Sequence, residues 1–100
     1  MDKYEVMLYP KAIKDIDGIY NYIANIKLSP ENAKSQTDRI WNALNTLETF
    51  PQSHQFRTTG KYAGKTYRQL LIDNYVAFYK IDENKKIVWI VTVQYQGQNN

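Results

Sequence analysis

One hundred residues fit one compact domain and are too few for two independent cores. With no cysteine and a single histidine, His54, a disulfide framework and a thiolate metal site are excluded, and no metal or other cofactor is expected. The net charge of +3 is modest but uneven: no acidic residue lies between Glu48 and Asp73, where Arg57, Lys61, Lys65 and Arg68 all fall, a segment suited to phosphates or an acidic partner.

The opening MDKYEVMLYP lacks the apolar core of a signal peptide. The longest apolar run, IVWIVTV at 87–93, is too short to cross a bilayer. A soluble cytoplasmic protein is expected, with no membrane partner. YEVMLY at 4–9 reads as a short strand. Pro10 then opens a helix, because proline fits the first turn, where no amide partner is lost. Ile13, Ile16, Tyr20 and Ile23 follow helical spacing with Ile19 beside them, leaving Lys11, Lys14, Asp15 and Asp17 on the wetter side. Gly18 either weakens this helix or admits a close neighbour.

A second helix begins at LSPEN, with Ser29 as cap, Pro30 in the first turn and Glu31 facing the helix dipole. Ala33, Thr37, Ile40, Trp41, Leu44 and Leu47 mark its apolar face, and Lys34 and Asp38 stand one turn apart as a surface pair. It ends before Pro51. The polar stretch at 52–65 reads as a loop with a short strand near Gln55 to Arg57. TYRQLLI and NYVAFYKI flank Asp73-Asn74 as a hairpin, and IVWIVTVQYQ is the most strand-like segment. The expected architecture is α+β, in the order β-α-α-β-β-β, with a helical hairpin on one face of an antiparallel sheet.

This order and its landmarks resemble the RelE/ParE superfamily of toxins from type II toxin–antitoxin pairs. The resembling stretches are YPKAIKDIDGIYNYI and SPENA at the helix starts, LETFPQSHQ at the second helix end, then YRQLLIDNYVAFYKID and IVWIVTVQYQGQN. The resemblance spans nearly the whole chain and implies a growth-inhibiting protein silenced by a cognate antitoxin. One branch of the superfamily cleaves messenger RNA on the ribosome; another poisons DNA gyrase without nuclease activity.

Metal-free RNA cleavage requires a base for the ribose 2′-hydroxyl, cations for the phosphorane charge and an acid for the leaving oxygen. The resemblance implies that Arg68 matches a basic strand position of the nuclease branch and that Tyr95 matches its C-terminal acid or stacking residue. Leu70 replaces a second basic residue found in some members of that branch, Val76 stands where its members commonly have an arginine, and Gln96 and Gln98 stand where arginine or histidine would be useful, so a conventional nuclease site is incomplete. Strand parity groups Arg68 with Leu70 and Ile72, and Val76 with Phe78. Should the two sets share a face, Arg68 stands at the rim of an apolar patch. Arg57, Lys61, Lys65, Arg68 and His54 remain candidates for target or phosphate contact, set against the plainer reading of solvated loop and strand charges.

Three functions follow from the resemblance. The leading one is a non-nuclease toxin acting on DNA gyrase. The second is a ribosome-dependent messenger RNA endoribonuclease with a reduced site, and the third is an inactive antitoxin-binding module. All three imply an antitoxin partner, acidic to suit the basic segment and supplying an amphipathic helix or an added strand.

Overall fold

The computed structural model describes residues 3–97. Strand β1 (Glu5–Leu8) leads into α1 (Pro10–Asn21) and a π-helical turn (Tyr22–Ile26); α2 (Pro30–Asn45) follows, tapering into a 3-10 turn (Thr46–Glu48). After a second 3-10 turn (Pro51–Ser53) and a long loop come β2 (Arg68–Ile72), β3 (Tyr75–Asp82) and β4 (Ile87–Tyr95). The expected order and helical hairpin are present. The sheet is mixed, in the order β1-β4-β3-β2. Strands β2, β3 and β4 are antiparallel, while β1 runs parallel to β4, from Glu5 opposite Ile87 to Leu8 opposite Ile90.

Both helices begin at prolines, as the sequence requires. Ser29 occupies the cap position of α2, but its side chain caps nothing; its carbonyl accepts from the Ala33 amide at 2.9 Å. The buried face of α2 is the expected one, through Ala33, Thr37, Ile40, Leu44 and on to Leu47. Trp41 is the exception, 38% exposed, because it lies one residue and about 100° around the helix from Ile40. The Lys34–Asp38 pair forms at 2.7 Å.

In α1 the buried stripe is turned by one residue from the expected one. Ala12 and Ile16 are buried and Ile19 packs against them, whereas Ile13 is 44% exposed and Tyr20 also faces out. Ala12 is the reason: a helix comes closest to a sheet where its side chain is smallest, so the fully buried alanine sets the contact line. Asp15 is correspondingly not a wet residue. Its carboxylate accepts from the Val93 amide at 3.1 Å and from the Thr92 hydroxyl, and Lys11 bridges the same pair. Those β4 groups lie just past the point where β1 leaves the sheet for α1. Asp15 therefore satisfies a strand edge that would otherwise lack a partner. Gly18 has no neighbour within 4 Å of an added Cβ, so no close approach explains it.

A β-bulge between Phe78 and Tyr79 of the β3–β4 ladder leaves Val91 as the extra residue. It lets Val88, Ile90 and Val93 all join the helix-side core with Leu70, Ile72, Ala77 and Tyr79, while Val91 joins a second cluster with Tyr62, Val76 and Phe78. One strand thus supplies both faces of the sheet out of phase with simple alternation. Among the described residues, the loop that carries Tyr62 is what covers the face away from the helices.

Candidate functional site

The uncovered face of the sheet carries a band of aromatic rings interleaved with cations. Period-two alternation sends Val76, Phe78 and Lys80 of β3 there, together with Gln69 and Leu71, their partners or neighbours on β2. Tyr62 stacks on Phe78 with ring centroids 4.8 Å apart, and Tyr67 meets Tyr62 edge-on at 5.3 Å. The Arg57 guanidinium lies 4.9 Å from the Phe78 ring centre. It is fixed there by donating to Gln69 Oε1 and the Thr59 carbonyl, each at 3.1 Å. Lys61 Nζ lies 5.8 Å from the Tyr62 ring.

Further along the same face, Tyr9 contacts Trp89 edge-on at 5.5 Å, and Lys80 Nζ sits 5.5 Å from the Tyr9 ring. Hydrogen bonding to Tyr9, helped by the nearby Tyr67, holds the Lys80 pKa above the usual lysine value. The ammonium therefore keeps its charge at any physiological pH. A surface of this kind binds phosphates through the cations and flat groups through the rings.

Arg68 is elsewhere. It pairs with Tyr79, and Leu70 with Ala77, whereas Val76 pairs with Leu71 and Phe78 with Gln69. The Arg68 and Val76 sets therefore occupy opposite faces, which corrects the expectation of a shared face. A two-residue turn at Asp73-Asn74 makes Ile72 and Tyr75 partners, so parity flips between Ile72 and Val76. Arg68 Nη1 donates to the carbonyls of Gln52 at 3.1 Å and His54 at 2.7 Å, and its guanidinium stacks 3.9 Å from the Phe56 ring centre. It fastens the loop after α2 to the sheet edge, where Phe56 and Arg68 form an isolated bridge.

The remaining sequence candidates divide between these places. His54, itself in the loop that Arg68 holds, lies edge-on to Tyr79 at 6.4 Å. The Tyr79 hydroxyl donates to the Pro51 carbonyl at 2.6 Å, and burial pushes its pKa far up. Lys65 lines a small hollow at the same edge with Phe56, Arg68 and Glu83. Tyr95 pairs with Tyr75, ring to ring at 5.8 Å, on the helix-covered side. Four β3 positions separate the partners of Arg68 and Tyr95, about 13 Å along the strand. Arg57 and Lys61 are thus brought together, Lys65, Arg68 and His54 form a separate edge group, and Tyr95 stands apart from both. Gln96 donates to the carbonyls of Asp73 and Tyr75; Gln98 lies outside the described residues.

Tyr9, Lys80, Tyr67 and Tyr62 were not singled out by the sequence reading. The alternation of Val76, Phe78 and Lys80 could have found Lys80. The position of Tyr62 over Phe78 depends on loop folding that no local pattern encodes.

A family model described as the ParE toxin of the type II toxin–antitoxin system, parDE, matches residues 6–100. The fold is similar to the chromosomal ParDE system from P. aeruginosa, with a TM-score of 0.77 at 18% identity over 93% of this chain and 96% of that one. It is also similar to the toxin–antitoxin complex RelBE2 from Mycobacterium tuberculosis, at TM-score 0.62 and 18% identity, covering 98% and 97%. An archaeal RelE–RelB complex from Pyrococcus horikoshii gives a TM-score of 0.62 at 13% identity, covering 96% and 98%. No curated protein matches by sequence. At these identities the solved structures speak to the fold, and the family match to the kinship. The chain belongs to the ParE toxin family of type II toxin–antitoxin systems.

Proposed function

We propose that this toxin halts growth by binding its target, DNA gyrase, without cutting RNA, and that an acidic cognate antitoxin silences it. The observation that carries this reading is the separation of the groups that RNA cleavage would need. Arg68 Nη1 is engaged by two backbone carbonyls, and Tyr95 lies across the sheet from Arg57 and Lys61. Val76 and Phe78, buried under Tyr62, fill the middle of the open face with apolar atoms. What remains exposed there is a binding surface of cations held on rings. The net charge of +3 favours an acidic antitoxin.

Purified toxin should inhibit gyrase supercoiling of relaxed plasmid and leave messenger RNA intact in a translating extract. Arg57→Glu should weaken that inhibition at least tenfold, about 1.4 kcal/mol of binding. Unaffected supercoiling combined with new messenger RNA ends would reverse the assignment. One observation favours that ribosomal reading: Lys80, between Tyr9 and Tyr67, sets a permanent cation beside two phenols. On that reading Lys80→Ala and Tyr9→Phe abolish cleavage.

A further inference from the structure

Where β3 and β4 approach their connecting turn, the sheet sinks into a hollow of about 400 Å³, lined by Lys80, Ile81, Asp82, Glu83, Asn84 and Trp89. Lys80 and Trp89 are cross-strand partners on the open face, and Asp82 shares that face two positions further along β3. An indole, a cation and a carboxylate from adjoining strands thus stand around one space. A volume of this order holds one small organic molecule. A second hollow of about 160 Å³ adjoins it, sharing Ile81 and Glu83 and adding Lys65 and Thr66.

Three of these side chains retain capacity for a ligand. The Lys80 ammonium has three donors and shares one with Tyr9, which leaves two able to donate elsewhere. Trp89 is half-buried and braced edge-on by Tyr9 at 5.5 Å, a fixed platform for a flat ring. Asp82 Oδ1 accepts from the Lys85 amide at 3.0 Å, and a carboxylate has further acceptor sites beyond that one. Glu83 differs, because its oxygens are committed to Tyr4 at 2.7 Å and Gln52 at 3.1 Å. A site whose parts are already held in place loses little conformational freedom on binding.

We propose that this hollow binds a free ribonucleoside 5′-phosphate, with the base stacked on Trp89, the phosphate on the Lys80 ammonium and the ribose hydroxyls donating to Asp82. The spacing supports the assignment. Lys80 and Asp82 lie two residues apart, about 7 Å along the strand, which is the reach from a 5′-phosphate to the ribose hydroxyls of one nucleotide. A second phosphate extends towards Lys65 and Thr66 in the adjoining hollow, so a diphosphate gains over a monophosphate. The combination of groups selects against other ligands. An inorganic anion leaves the indole unused, and an uncharged flat ring leaves Lys80 without a counter-charge. A strand of nucleic acid meets repulsion, because Glu5 pairs with Ile87 and Ile87 with Asp82. That row sets two carboxylates where the 3′ phosphate of a longer chain would fall. The inference goes beyond the toxin reading and holds whichever target the open face meets.

The test titrates the full-length toxin with metal-free ADP by calorimetry. In parallel, indole fluorescence is followed in a Trp41→Phe background, where Trp89 is the one remaining tryptophan. Saturable binding that quenches Trp89 is expected, with adenosine and dADP each several-fold weaker than ADP. Lys80→Ala and Trp89→Ala should each weaken ADP binding at least tenfold. Asp82→Asn, which keeps an acceptor for the Lys85 amide, should abolish the preference for ADP over dADP. Thermal melting reports whether each variant is folded, and if Trp89→Ala melts early, Lys80→Ala decides. No saturable binding at millimolar ADP would overturn the inference, as would Lys80→Ala and Trp89→Ala both binding within twofold of the wild type. Pyrophosphate binding as tightly as ADP would reduce the hollow to an anion site and overturn it too. So would a single-stranded oligonucleotide that binds where ADP does not. None of these readouts involves gyrase or an antitoxin, so failure here leaves the proposed target untouched.

Discussion

The two faces of the sheet are built from the same strands but solve different problems. The helix-covered face buries Ile16, Ile40, Leu44, Ile90 and Tyr79 against one another, and its polar atoms are engaged: Thr37 with the Ala33 carbonyl, Tyr79 with Pro51, Asp15 with the β4 edge. The open face has a smaller apolar cluster, roofed by one loop, with cations lying on rings at its margin. Burial drives the first arrangement and tolerates little change. The second keeps charge and aromatic surface accessible, which is what a face meant for another macromolecule requires. Arg68 belongs to the first in spirit, although sequence resemblance aligns it with the second.

Substitutions can break this contrast. Ile16→Ala should cost the most, about 2–5 kcal/mol, read as a drop in the denaturant midpoint. Tyr62→Ala, on the open face, should cost less, about 1–3 kcal/mol, because the loop that carries it can settle onto Phe78. Equal losses would mean that the open face is as much a core as the other. Arg68→Ala removes two charge-assisted hydrogen bonds and should lower stability by about 1.5–3 kcal/mol. Arg57→Ala should change the melting temperature far less while weakening target binding. If the two arginines exchanged these effects, the assignment of Arg68 as a fastener of the loop would fail.

Two smaller effects sharpen the picture at the margins. Gly18 sits in a helix with open space around it, so Gly18→Ala should stabilise by about 0.5–1 kcal/mol, a few degrees in melting temperature. A destabilised variant would reveal a neighbour that approaches this helix only in a complex. The smallest effect concerns Glu83, which accepts from Tyr4 at 2.7 Å and from Gln52. Those hydrogen bonds, Tyr4 first, lower its pKa from the ordinary 4.5. A carboxylate with a depressed folded pKa contributes stability above its unfolded value and loses it as the pH falls through the folded one. The melting-temperature gap between wild type and Glu83→Gln should therefore be present at neutral pH and close in acid below pH 4.5. A gap that persists there would show that the carboxylate charge is not what matters.

Much of this was legible in the chain. The prolines at 10, 30 and 51 mark the helix limits, since proline removes a donor and constrains its neighbour. The apolar spacing of α2 from Ala33 to Leu47 and the hairpin about Asp73-Asn74 each rest on patterns within a few residues, and local patterns survive folding. The candidate site was less legible. Arg57 and Lys61 were visible as a basic stretch, but their aromatic companions lie at 9, 62, 67, 78 and 89, far apart along the chain.

The sequence by itself determined the element order, the helix starts and the kinship with the ParE toxins, because each depends on local chemistry read in a fixed order. Tertiary structure decided the parallel placement of β1, the rotation of α1 onto Ala12 and the bulge at Val91. It also decided that Arg68 and Tyr95 share no site. A charged side chain has no face until its strand has a partner and a register, and one residue of turn or bulge sends it to the other side.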